Sequence, residues 1–204
     1  SFHIQAASID EMPGAGEAAP AYVRRLAQEK AQAVARQCSE SAGRNLSSVI
    51  LAADTTVADG ADILGKPLDA QEAESMLRRL RGCEHTVYTA LAALSTIDGR
   101  LLTELCATQV PMRAYSDEEI KAYIASGDPF DKAGAYAIQH AGFHPVPFLH
   151  GCFANVMGLP LCHLARLLHQ MGIETERPIH AACQAHLAFS CTVYSQILGQ
   201  MPFV

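Results

Sequence analysis

Three features of this 204-residue sequence predict an α/β fold. The run SVILAA (48–53) is continuously apolar, as a buried strand is, and stops at Asp54. Residues 85–95 and 101–114 are rich in Val, Thr, Tyr and Leu and flank Asp98-Gly99, the pattern of a β-hairpin. Helical segments with capping signals are interleaved with these strands: Asp69 with Glu72, and Ser116 with Glu119, repeat a capping-box spacing.

Taken in order, residues 1–9 (SFHIQAASI) read as a short strand, and Pro13, Gly14 and Gly16 make 10–19 a loop. Pro20 suits the first turn of a helix running to about Cys38, with Val23, Leu26, Ala27 and Val34 on one stripe. Lys30 falls on that same stripe, so its stem is expected to be partly screened from water. Strand 48–53 presents Asp54 at its C-terminal end, where open α/β sheets bind ligands. A turn at Asp59-Gly60 and the segment LGKP follow, then a helix from Asp69 that Gly82 stops. Beyond the hairpin, a helix opens at Ser116 and ends at Gly127. AYAIQ reads as a short strand ending at Gln139. Pro160 opens a helix whose apolar face is Leu161, Leu164, Leu167, Leu168 and Met171, with Gly172 as its stop. Residues 173–204 start charged and turn apolar, which suits an added helix or an unstructured extension equally.

Composition narrows the function classes. Half the residues are hydrophobic and 18% are charged, which excludes global disorder. Polar residues interrupt every candidate for a membrane span. A formal net charge of −6 with no basic patch argues against a nucleic-acid partner, whereas a small anion would fit a cleft that focuses a few cations. Residues 1–11 lack a secretory signal, and the first residue is not Met, so the true N-terminus is expected upstream. The seven cysteines form no C-x-x-C pair, so reduced thiols in a cytoplasmic protein are expected.

Two features carry potential chemistry. Asp54, followed by Thr55 and Thr56, can act as a general base or a metal ligand, though an aspartate there also serves as a turn or cap residue. Lys66, held in Gly65-Lys66-Pro67, can present a point charge to phosphate, though a lysine there is also at home in solvent. His140, His144 and His150 crowd one segment but lack a partner that would complete a zinc site. His163 and His169 are expected at the surface.

The order of segments is more informative. IDE (9–11), YVRRLAQEKA (22–31), ADTTV (53–57), LGKP (64–67), HTVYTALA (85–92), YIASGDPFDKAGAYAIQ (123–139) and NVMGLPL (155–161) together resemble the Maf family, over nearly all of residues 9–172. The resemblance implies a mixed, elongated and curved sheet flanked by helices, with two lobes around a cleft. It implies a domain over 1–172 and an extension of unknown role over 173–204. It also implies cleavage of a nucleoside triphosphate between the α- and β-phosphates, with magnesium or manganese as cofactor. Asp54 would be the general base, Glu11 and Asp54 the metal carboxylates, Lys30 and Lys66 the phosphate-side cations, and Thr55 and Gln139 the base-selecting positions. The pairing of Asp-Thr with Ala-Tyr-x-Ile-Gln resembles the branch acting on dTTP and UTP. The implied partner is the nucleotide alone, without nucleic acid or membrane, and a homodimer is allowed.

Family members begin with a strand, a Ser-x-Ser-Pro-Arg-Arg loop and a helix, all of which would stand before Ser1. The chain is therefore expected to turn over dTTP or UTP weakly or not at all, with a sheet edge left open. Two alternatives remain at this point: a non-catalytic nucleotide-binding or cell-division regulatory protein on the same scaffold, and an inosine-triphosphate-type pyrophosphatase.

Overall fold

The computed structural model describes residues 2–42 and 48–199. Ser1 of the expected first strand and residues 200–204 of the tail lie outside the described residues.

The long helix α1 (Ala19–Ala42) is followed by strand β1 (Val49–Asp59) and the short strand β2 (Asp62–Leu64). Helix α2 (Ala70–Leu80) leads to the hairpin β3 (Glu84–Ser95) and β4 (Leu101–Pro111), then to α3 (Asp117–Ala125) and two 3-10 turns at Asp128–Asp131 and Ala133–Ala135. The chain closes with α4 (Phe153–Val156), α5 (Leu161–Gln170), α6 (Ile179–Leu187) and α7 (Tyr194–Leu198). The strands form one open antiparallel sheet in the order β2-β1-β3-β4, flanked by helices. Among the described residues no helix is long and apolar enough to cross a membrane.

Alternation along β1 and β3 sorts the sheet into two faces. Register pairs Asp54 with Ala90 and Ala52 with Ala92 on one face, and Thr55 with Thr89 and Val57 with Val87 on the other. The first face carries α1. Val23, Ala27 and Ala31 of the helix pack on Ala90 and Ala92, all five fully buried. On the second face, Val57, Val87 and Val110 meet α2, α3 and the 135–149 segment around Leu77, Leu80, Tyr115 and Ile120. Each of these buried leucines contributes roughly 1.5–3 kcal/mol relative to exposure.

The capping signals are realised. Asp69 accepts from Glu72 N at 2.8 Å, and Ser116 and Glu119 form a reciprocal capping box. Four expectations are corrected. Residues 2–9 form no strand: Phe2 and Ile4 are 85% and 90% exposed, and Gln5 bonds the Gln37 side chain rather than a ladder. AYAIQ is not a strand either. Gly134 and Ala135 take positive φ, and the backbone N–H groups of Gly134 and Ala137 go to Gly65 O and the Tyr123 hydroxyl. Asp54 is not at a strand end, because the β-branched Thr55, Thr56 and Val57 carry β1 on to Asp59. β2 covers only Val57 to Asp59, so among the described residues the rest of β1 is an open edge, and Asp54 stands there in mid-strand.

His163, the fourth, is buried rather than on the surface, because α5 contacts both the sheet and the tail helices α6 and α7. His169 bonds Glu174 at 2.7 Å. The tail contributes Leu187 and Val193 to a cluster with Cys106, Cys152 and Ala154, and sets the Phe189 ring, tilted by 34°, 5.0 Å from that of Phe153. All seven cysteines are free thiols.

Candidate active site

At the open edge of β1, a cleft of about 720 Å³ lies between α1, the 9–13 segment and the loop after β2. Lys30 reaches into it from α1, and its apolar neighbours Val23, Leu26, Ala27 and Ala31 hold the helix on the sheet. The Lys30 ammonium donates to Asp54 Oδ1 at 2.6 Å and lies 2.8 Å from Glu11 Oε1. One cation thus bridges two carboxylates from segments far apart in the sequence.

Burial and charge oppose each other here. Desolvation pushes the Asp54 carboxyl above the usual carboxylate range, Lys30 pulls it back, and the Glu11 charge adds to the rise. For Lys30, burial alone would lower the ammonium, but its bonds to Asp54 and Glu11 more than offset that, and it stays charged. Two residues hold Glu11 in place. Tyr22 donates its hydroxyl to Glu11 O at 2.8 Å, and Arg25 donates to Met12 O at 3.1 Å while pairing with Glu17 at 2.7 Å. Hydrogen bonds from Arg25 and from Gly14 N lower the Glu17 carboxyl to about 2.

Lys66 faces the same cleft, and its loop is tied down by Gly134 N donating to Gly65 O at 3.0 Å. Thr55 lines the cleft too and opens into a second cavity of about 250 Å³, which also borders Lys66. Val57, Val87, Tyr136 and Val156 give that cavity apolar walls, and Lys132 stands at its rim. The arrangement suits a ligand with a polyanionic end in the cleft and a flat, less polar end in the side cavity.

Of the six residues singled out in the sequence, the structure brings five together: Glu11, Lys30, Asp54, Thr55 and Lys66. Gln139 is exposed and lines a different cavity, of about 530 Å³, with Phe148, His186 and Phe189. The turn at Gly134 and Ala135 that replaces the expected strand precedes it.

A sequence model of the Maf-like protein family matches residues 1–171. The chain belongs to the Maf family. It is 49% identical over 172 residues to the dTTP/UTP pyrophosphatase of Myxococcus xanthus, covering 84% of this chain and 83% of that one. It is 44% identical over 173 residues to the dTTP/UTP pyrophosphatase of Hahella chejuensis (85% and 83%), and 42% over 171 residues to that of Geotalea uraniireducens (84% and 84%). The Maf match ends where α5 is closed by Gly172, so α6 and α7 lie beyond it.

Sequence reasoning missed Tyr22 and Arg25, which position the Glu11 segment, and Thr89 and Asn155, which lie behind Thr55. Thr89 Oγ1 is 2.9 Å from Thr55 Oγ1 and donates to Asn155 O at 3.0 Å. Thr89 stands within HTVYTALA and Asn155 opens NVMGLPL, so segment order pointed to both neighbourhoods without giving either residue a task.

Proposed function

We propose that this chain is a nucleoside triphosphate pyrophosphatase that hydrolyses dTTP and UTP to the monophosphate and pyrophosphate. The observation that carries the reading is the buried Asp54 carboxylate, held beside Lys30 and Glu11 in a cleft that Lys66 also lines. The triphosphate lies along the cleft between Lys30 and Lys66, with its base in the side cavity next to Thr55. Asp54 takes the proton of the attacking water. That water's oxygen forms the new P–O bond as the bond to the oxygen bridging the α- and β-phosphates breaks. Lysine ammonium groups offset the charge that builds on the phosphate oxygens.

The donor set fits magnesium or manganese. Glu11 and Asp54 offer hard carboxylate oxygens on one side of the cleft, and such ions are commonly held by one or two carboxylates with phosphate oxygens and water. Among the described residues no group of three His, Cys, Asp or Glu side chains is placed to hold a metal, so these two carboxylates would be the protein's share. When bound, the ion neutralises phosphate charge. The names of the Myxococcus and Hahella relatives support the choice of dTTP and UTP. Residues 1–172 carry the chemistry in this reading, and the tail packs on α5 and on the cluster of Cys106, Cys152 and Ala154.

Steady-state pyrophosphate release from dTTP, UTP, CTP and GTP, with magnesium or manganese, tests the proposal. Turnover of dTTP and UTP that falls with chelator and in Asp54→Asn is expected. A folded chain that binds dTTP yet releases no pyrophosphate would make this a non-catalytic nucleotide-binding protein.

A further inference from the structure

Thr55 stands between the cleft and the side cavity, and the hydrogen bonds behind it fix which way its proton points. Thr89, fully buried, has its Oγ1 3.0 Å from the Asn155 carbonyl and 2.9 Å from Thr55 Oγ1. A carbonyl oxygen only accepts, so the Thr89 proton goes to Asn155 O. A hydroxyl has one proton, so toward Thr55 the Thr89 oxygen can only accept. The Thr55 proton is therefore spent on Thr89, and Thr55 shows a ligand nothing but lone pairs.

Two further features keep this arrangement rigid and open. The Asn155 side chain, with no exposed surface, donates to Val87 O and Thr108 Oγ1, both at 3.0 Å, and so locks the carbonyl over β3 and β4. Asn155 O also accepts from Gly158 N at 2.9 Å. Gly158 takes a φ of +101°, and a Cβ there would sit 3.3 Å from Thr55 Oγ1. The missing side chain leaves the lone pairs accessible from the side cavity.

We propose that Thr89 and the Asn155 carbonyl are positioning groups that make the Thr55 hydroxyl an obligate acceptor. That acceptor selects pyrimidines with an N–H at ring position 3, uracil and thymine, over cytosine. Cytosine N3 bears a lone pair, so against Thr55 it would leave two acceptors facing each other, away from water. A site built around a specific hydrogen bond discriminates by the penalty of leaving its polar groups unpaired. The inference rests on the pyrophosphatase reading for placing a pyrimidine here, but not on turnover, so binding of monophosphates tests it separately.

Calorimetric titration of the full chain with dUMP and dCMP, which share sugar and phosphate, is the experiment. Wild type should prefer dUMP by about tenfold or more, the worth of one hydrogen bond. Thr89→Val keeps the shape but frees the Thr55 proton to donate to cytosine, so the preference should collapse toward parity, mainly through tighter dCMP binding. Thr89→Ser should restore it. Should Thr89→Val fail to fold, Thr55→Val at the partly exposed position removes the acceptor and should likewise abolish the preference. Binding of neither monophosphate by wild type would sink the pyrimidine site itself and this inference with it. Binding without preference, or with preference for dCMP, would overturn the inference alone. Equal weakening of both ligands in Thr89→Val would make Thr89 mere structural support and overturn its assigned part.

Discussion

Asp54 and Thr55 are neighbours on one strand, yet they belong to opposite electrostatic worlds. The face that Asp54 shares with α1 is small and apolar except for one concentrated ion cluster, Lys30 between Asp54 and Glu11. Directly behind Thr55 stand polar groups without charge, Thr89, Thr108 and Asn155, and His85 shares a hydrogen bond with Tyr136 at 2.8 Å; the charges of that face, such as the Arg166–Glu104 pair beside Leu91, are not bonded to Thr55. Burial holds His85 down to about 4, so this histidine is neutral where it meets Tyr136. A strand's two-residue alternation thus lets adjacent positions offer a ligand different physics, an ion cluster at Asp54 and an ordered chain of uncharged hydrogen bonds at Thr55.

Breaking the charged face should cost most. Asp54→Asn is expected to lower kcat about 10²–10⁴-fold with little change in KM, as loss of a general base does, checked by steady-state pyrophosphate release. Lys30→Met should cost about 10²–10³-fold in kcat/KM. Because Lys30 is what holds the Asp54 carboxyl down, its removal should also move the acidic limb of the pH–rate profile to higher pH. An unmoved limb would show that Lys30 does not govern Asp54.

The Thr55 face should show itself in stability. Folded His85 stays neutral down to about pH 4, whereas the unfolded chain protonates near 6.5. The unfolded state therefore binds more protons between those values, and acidification across that window favours unfolding, by up to about 3 kcal/mol. Burial shifts His163 in the same direction. Urea midpoints at pH 7 and pH 4.5 measure the loss, and His85→Gln should shrink it. The smallest effect is the sharpest for the comparison: Gly158→Ala, strained at φ +101° and crowding Thr55 Oγ1, should cost about 1 kcal/mol in stability and raise KM with kcat nearly unchanged. An equal fall in kcat would mean the two faces are not separable.

The charged face was the legible one. Lys30 on an apolar stripe is an anomaly that spacing exposes, Asp54 interrupts an apolar run, and Lys66 stands out in its Gly-Lys-Pro turn; segment order then added Glu11. The capped helices α2 and α3 and the β3–β4 hairpin were legible because their signals are local. What failed to show were features decided by tertiary partners. Phe2 and Ile4 alternate like a strand but find no ladder, and AYAIQ spends its backbone bonds on a loop and on Tyr123. Gln139 was misplaced with it. Thr89 and Asn155 stayed hidden because a threonine in a strand reads only as β-propensity, and a buried asparagine has no sequence periodicity of its own.

The alanines under α1 have a consequence for how this cleft can drift over evolutionary time. Val23, Ala27 and Ala31 meet Ala90 and Ala92, so the thinnest side chains fix the gauge between helix and sheet. The Lys30 ammonium is carried on that helix, and at this gauge it lies 2.6 Å from Asp54. A single larger residue among those alanines would lift the helix and draw the ammonium off its carboxylate while leaving every polar group in the molecule chemically intact. The tolerance of the reaction centre is therefore written in methyl groups that never meet the nucleotide.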